Sequence, residues 1–209
     1  MIPNQPFRPT PTNARERLLE AAVKLVREQG FTATSVDQLC QAAGVTKGAF
    51  FHHFTSKEAL GVTLAQYWSS STGQFFAAAP FHNLEDPLDR VLGYIDLRIA
   101  LLSGLPQSFA CVAGTMVQEV HLTSEAIREA CLASINGNAR ALEADLAAAI
   151  AQRGATGVTA EGLARHVQAV IQGALLLAKA EGATGGAELA REQLRHLRRY
   201  FEMLLKPQN

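Results

Sequence analysis

Apolar residues recur along this chain at intervals of three and four, and no stretch alternates apolar with polar residues over a strand's length. The stripe Leu18, Leu19, Ala22, Val23, Leu25 and Val26 predicts a first helix from about Asn13 to Gln29, stopped by Gly30. Ser35 with Gln38 three residues on reads as a reciprocal capping box, opening a short helix that Gly44 ends. Thr46 caps a second short helix through about His53, and Ser56 a longer one through about Ala78. After a break at Pro80–Pro87 comes a helix to about Leu102. It is apolar nearly all round (Leu88, Val91, Leu92, Ile95, Leu97, Ile99, Leu101) and is therefore expected to be central and buried. Further helices are predicted near 107–121, 124–153, 160–181 and 187–205. In the last two, Leu163, Val167, Val170, Ala174 and Leu177, then Ala190, Leu194, Leu197, Phe201 and Leu204, keep a 4-3-4-3 spacing. No proline interrupts 12–79 or 107–206, where each would cost a helix about 3 kcal/mol. The expected fold class is all-α.

Composition narrows the picture. With 209 residues, 48% of them hydrophobic, the chain buries a real core, which excludes wholesale disorder. Nineteen basic and nineteen acidic residues announce no polyanionic or membrane partner globally, but residues 1–60 carry seven Lys or Arg against five Asp or Glu. A polyanion would have to bind there, through a local patch. Three cysteines (Cys40, Cys111, Cys131) without metal-type spacing fit a reducing compartment. No apolar run reaches the roughly 18 residues of a membrane span, and the N-terminus has no signal core. A cytoplasmic protein with no membrane partner is expected. Four prolines in the first eleven residues predict an extended arm, with Arg8 a candidate for reaching a minor groove.

Residues 35–54, SVDQLCQAAGVTKGAFFHHF, carry the most specific chemistry. Two short helices crossing steeply need small residues at their contact, which Cys40 and Ala43 supply, and a turn residue tolerant of positive φ, which is Gly44. Val36, Leu39, Val45 and Phe50 point inward. Thr46, Lys47, Gly48, Ala49 and His52 are left outward, short or polar, on an edge slim enough for a major groove about 12 Å wide. The Thr46 hydroxyl, Lys47 and the helix N-terminus suit phosphate oxygens. Adjacent His52 and His53 point about 100° apart, so they make no metal pair. No metal and no cofactor is expected.

Those stretches, with ARERLLEAAVKLVREQGFTATSVDQL before them and SKEAL after, resemble the N-terminal DNA-binding domain of TetR/AcrR transcriptional regulators. The resemblance implies a three-helix helix-turn-helix domain at 13–60, following an arm at 1–12. It implies a C-terminal helical domain at 61–209 that binds a ligand and dimerises through its last two long helices. Carried onto matching positions, the DNA-binding residues are Ser35, Thr46, Lys47, Gly48, Ala49, Phe51, His52 and Lys57, the last clamping a phosphate. Phe51 stands where the family usually has Tyr, so that hydroxyl contact is missing, and Cys40 stands for Ala as a small buried residue. CVAGTMVQEV, SEAIREAC and IQGALLLAKAEG resemble the NemR-type subgroup.

For the C-terminal region the candidates are Cys111, Thr115, Gln118, Gln172 and Lys179. Cys111 starts a helix, with Thr115 and Gln118 on its face. It reads as an inert half-buried thiol or as a sensor thiol activated by the helix start and by Lys179. Arg98, Glu119, His121, Asn136 and His166 are further polar groups that could line a pocket. The expected function is a transcriptional regulator, a repressor released from a palindromic double-stranded operator by a small ligand or electrophile, and acting as a homodimer. The rival is an all-α small-molecule-binding protein or enzyme whose N-terminal helices are structural. No G-x-S-x-G, H-E-x-x-H or glycine loop after a strand supports catalysis.

Overall fold

The computed structural model describes residues 11–206, so the arm's first ten residues, Arg8 among them, lie outside the described region. Among the described residues ten α-helices run in the order α1 (Ala14–Gln29), α2 (Val36–Ala43), α3 (Lys47–His53), α4 (Lys57–Ala77), α5 (Pro87–Leu101), α6 (Pro106–Phe109), α7 (Val112–Val120), α8 (Glu125–Arg153), α9 (Ala160–Glu181) and α10 (Gly186–Leu204), with a 3-10 turn at Pro80–Asn83. Among the described residues there is no strand. The chain divides into two compact units: the described residues up to Gly73 with Ala110–Ile135, and Gln74–Phe109 with the residues from Asn136 onward.

In the first unit side chains cap the helix starts. Asn13 accepts the Glu16 N–H at 2.9 Å. Ser35 Oγ accepts from Gln38 N at 3.2 Å while Gln38 Oε1 accepts from Ser35 N at 2.8 Å, closing the capping box. Gly44 takes the left-handed conformation (φ 62°) that a residue with a Cβ adopts only at a cost. Leu18, Leu19, Val23, Val26, Leu39, Phe50, Phe54, Leu60, Leu64, Val112, Met116 and Ile127 fill one core, so α7 and the start of α8 complete it from far along the sequence. Val36 and Val45 are half-buried at its edge.

Three expectations are corrected. First, α5 is buried on one face only: Leu88, Val91, Leu92 and Ile95 are covered, while Leu97, Ile99 and Leu101 are half-buried. Second, the segment expected as one helix at 107–121 is two, because the backbone turns extended at Cys111, which caps α7 with Sγ accepting from Gly114 N at 3.3 Å. Third, α9 buries Leu163, Ala164, Val167, Gln168, Ile171, Ala174, Leu175 and Ala178. Val170 is half-buried, and Leu177 is 48% exposed beside Leu176 at 50%. Leu163, Val167 and Ala174 of the predicted stripe are thus inside, while Val170 and Leu177 fall away from that face because Leu176 and Leu177 give the helix a second apolar side. On α10, Ala190, Leu194, Leu197 and Phe201 are buried as expected, and Leu204 is half-buried.

Candidate nucleic-acid interface

α2 and α3 are locked to α1 by apolar packing and by Arg17, whose Nε donates to the Ala43 carbonyl at 3.2 Å. Cys40 is buried between them, its thiol 3.8 Å from the Thr46 carbonyl. Burial, and secondarily the Asp37 charge, pushes this thiol up, so it stays protonated as a small packing group. On α3 only Phe50 is fully buried. Thr46, Lys47, Gly48, Phe51 and His52 are exposed and Ala49 is half-buried, so all six predicted residues of this segment are at least partly accessible. Ser35 is exposed at the start of α2; its oxygen is used by the cap, leaving its O–H free to donate outward.

Two charged groups are placed differently from what sequence position suggests. Lys47 pairs with Asp37 across α2 and α3 at 2.7 Å, and that hydrogen bond, with the Asp37 charge, raises its pKa. Both side chains are well exposed, so the pair is weak and exchangeable for another anion. Lys57 is half-buried instead of reaching outward: its ammonium donates to the Thr32 carbonyl at 3.1 Å and sits 4.7 Å over the Phe31 ring. Burial lowers its pKa, partly offset by Glu119.

By sequence Glu119 is a polar group that could line a pocket, yet its carboxylate accepts the Thr32 N–H at 2.7 Å, and a Cβ at Gly30 would overlap it. Ser124, just before α8, donates to the Glu58 carboxylate in the first turn of α4. These contacts tie α7 and α8 to the loop before α2 and to the start of α4. No local spacing signals them.

Of the C-terminal candidates, Cys111, Thr115 and Gln118 belong to the first unit and Gln172 and Lys179 to the second. Cys111 is half-buried, Thr115 is buried, and the exposed Gln118 folds back to donate to the Gly114 carbonyl at 2.8 Å. Gln172 is half-buried and Lys179 exposed. Cys131 is fully buried, and burial, with the Cys111 charge nearby, pushes its thiol up to about 12. Among the described residues no group of His, Cys, Asp or Glu is arranged to hold a metal, and no helix is long and apolar enough to cross a membrane.

Known proteins place this geometry. Residues 18–61 match the family described as bacterial regulatory proteins, tetR family, and residues 87–193 match the C-terminal domain of LmrA/YxaF-like transcriptional regulators. The regulator LmrA of Bacillus subtilis is 28% identical over 173 residues, 79% of this chain and 86% of LmrA. The transcriptional repressor NemR of Escherichia coli is 29% identical over 121 residues, 58% of this chain and 61% of NemR. The crystal structure of its reduced form has a TM-score of 0.77 at 25% identity, covering 93% of this chain and 98% of that one. A shorter match, 37% over 54 residues, reaches the uncharacterized regulator YerO of Bacillus subtilis. The chain thus spans 19% of YerO and 61% of NemR, less than two thirds of either. Family matches at both ends of an all-helical chain whose second and third helices meet at Gly44 make it a member of the TetR family of transcription regulators, with an LmrA/YxaF-like C-terminal domain.

Proposed function

We propose that the protein is a cytoplasmic repressor that binds a palindromic operator as a homodimer and leaves it when its helical C-terminal domain takes a small ligand or its Cys111 thiol is modified. The observation that carries this reading is the accessible edge of α3, where Thr46, Lys47, Gly48, Phe51 and His52 stand clear of the core that Phe50 anchors. Regulators of the family bind DNA operators and act as dimers. NemR, named a repressor, supports the sign of control.

In this reading Gly48 and Ala49 lie against the groove floor, and Thr46, Lys47, Ser35 and His52 meet phosphates or base edges. Asp37 holds the Lys47 ammonium until a phosphate replaces it. Lys57 chiefly sets the loop, and reaches phosphate only by giving up Thr32. The dimer face is the outer side of α9 and α10. On α9, Ala169, Gly173, Leu176, Leu177 and Ala180 form a chargeless strip that is exposed or half-buried, and Tyr200 and Met203 on α10 are 40% and 64% exposed. Two-fold symmetry then places two recognition helices about 34–36 Å apart, one turn of duplex. Release runs through α7: it begins at Cys111 and carries Glu119 near its far end, on the Thr32 N–H of the loop that aims α2. A shift of that contact worth about 1–3 kcal/mol lowers operator affinity about 5- to 150-fold.

The test is fluorescence anisotropy on duplex DNA across a salt series. Lys47→Ala is expected to weaken binding to all sequences and to flatten the log–log salt slope by about one per protomer. Lys57→Ala should do so less. An unchanged slope in Lys47→Ala contradicts the interface. In the same assay a thiol-reactive electrophile should release wild type but not Cys111→Ser, and equal responses remove the thiol arm of the reading.

A further inference from the structure

The arginines of the second unit point to a ligand class. Five of them are half-buried, and four have a carboxylate partner: Arg90 with Asp145 at 2.7 Å, Arg153 with Asp86, Arg191 with Glu188 at 2.7 Å, and Arg198 with Asp96 at 2.8 Å. The fifth, Arg98 in the last turn of α5, has no carboxylate within 4.0 Å among the described residues. Its Nε and Nη2 donate to Tyr94 Oη at 3.0 and 2.7 Å, and its guanidinium lies 4.0 Å from the Phe76 ring centroid. Gln168, itself only 5% exposed, donates to the same oxygen at 3.4 Å.

Three N–H groups therefore converge on one neutral phenol oxygen, which has two lone pairs. The Tyr94 ring is 2% exposed, and Phe76 and Phe81, each 7% exposed, pack around it with centroids 5.1 and 6.0 Å away. A guanidinium carries a positive charge, and removing such a charge from water without an opposite charge is costly. The cluster has donors and a positive charge in excess beside aromatic rings, and among the described residues no carboxylate pairs with Arg98. A planar carboxylate is the group that a guanidinium fork takes up in two parallel hydrogen bonds.

We infer that Arg98 anchors the carboxylate of the effector, with Gln168 and Tyr94 holding the guanidinium in place and Phe76 and Phe81 contacting an aromatic or apolar body. The effector is an aromatic or apolar-tailed carboxylic acid. This rests on the reading of the C-terminal domain as the effector-binding part, and supplies the chemistry that reading lacks.

Calorimetry and thermal melting of the full-length chain with benzoate, phenylacetate, 1-naphthoate and 2-naphthoate, each against its primary amide, test the assignment. At least one acid should bind once per protomer and raise the melting temperature, with its amide at least tenfold weaker. Arg98→Gln should lose that preference at least tenfold, and Arg98→Lys should keep part of it. The Lys variant also carries the test if the Gln variant does not fold. Failure of every acid to bind, equal binding of acids and amides, or equal binding by wild type and both variants overturns the assignment. DNA binding by the same preparations without acid separates the two levels: operator binding with indifference to acids removes Arg98's role and leaves the regulator, whereas acid binding without DNA binding does the reverse.

Discussion

Gly48→Leu is expected to abolish useful DNA binding in a protein that is folded as well as wild type. A Cβ built on Gly48 meets nothing nearer than the Thr46 hydroxyl oxygen at 3.8 Å, so nothing inside the protein requires glycine there. Position 48 lies in the first turn of α3, where replacing glycine by a better helix former contributes up to about 1 kcal/mol. Melting temperature and far-UV circular dichroism should hold or improve. A leucine on the outer edge, however, stands the helix off the groove floor. At about 1–3 kcal/mol for each half-site, the scale of one misfitted base contact, a symmetric dimer loses at least about thirtyfold in operator affinity. Binding unchanged within a factor of two would mean that this edge does not enter a groove.

The second large effect is on assembly. Leu176→Glu with Leu177→Glu places two charges on the outer side of α9, where the wild-type side chains are half exposed at 50% and 48% and contribute little to the protomer's own core. The folded protomer should survive, with near-native helicity. Two copies of the strip, facing each other across a two-fold axis, would bring four carboxylates into an apolar contact, which is prohibitive without partners. Sedimentation should therefore give the mass of one 22.5 kDa chain. Operator affinity should fall by about a hundredfold to ten-thousandfold, the gain that linking two half-site modules supplies. A dimer persisting in this variant would move the interface elsewhere on the molecule.

Legibility from sequence followed the range of the interaction. Ser35, Gln38, Gly44 and Thr46 mark their helix ends because capping is settled within four residues, and each forms as read. The outward set on α3 was legible for the same reason: Phe50 is the large apolar residue that the first core must take, and the rest of the edge follows by geometry. The break before Cys111 was not, because no glycine or proline marks it and a cysteine is not among the usual capping residues. The inner face of α9 was legible only in part: Leu163, Val167 and Ala174 are buried as read, but Leu176 and Leu177 supply a second apolar stripe. Lys57 and Glu119 show the limit most clearly. Their backbone partners at Thr32 lie 25 and 87 residues away, so position in a motif points Lys57 outward where tertiary packing turns it in.

Arg98 belongs to the same class. From sequence it is one of four charged residues on α5, beside Asp89, Arg90 and Asp96. Its place stands out only when the other half-buried arginines of the second unit are each seen to hold a carboxylate while it holds a tyrosine hydroxyl.

The most direct measurement is selection from a pool of random duplexes by the purified protein, with the enriched sequences read and the protein-to-duplex ratio determined by light scattering. The account predicts an inverted repeat with half-sites about one helical turn apart, occupied by a whole number of dimers, and no enrichment by the Gly48→Leu protein. A pool left as random as it began, or a single asymmetric site holding one protomer, would contradict it.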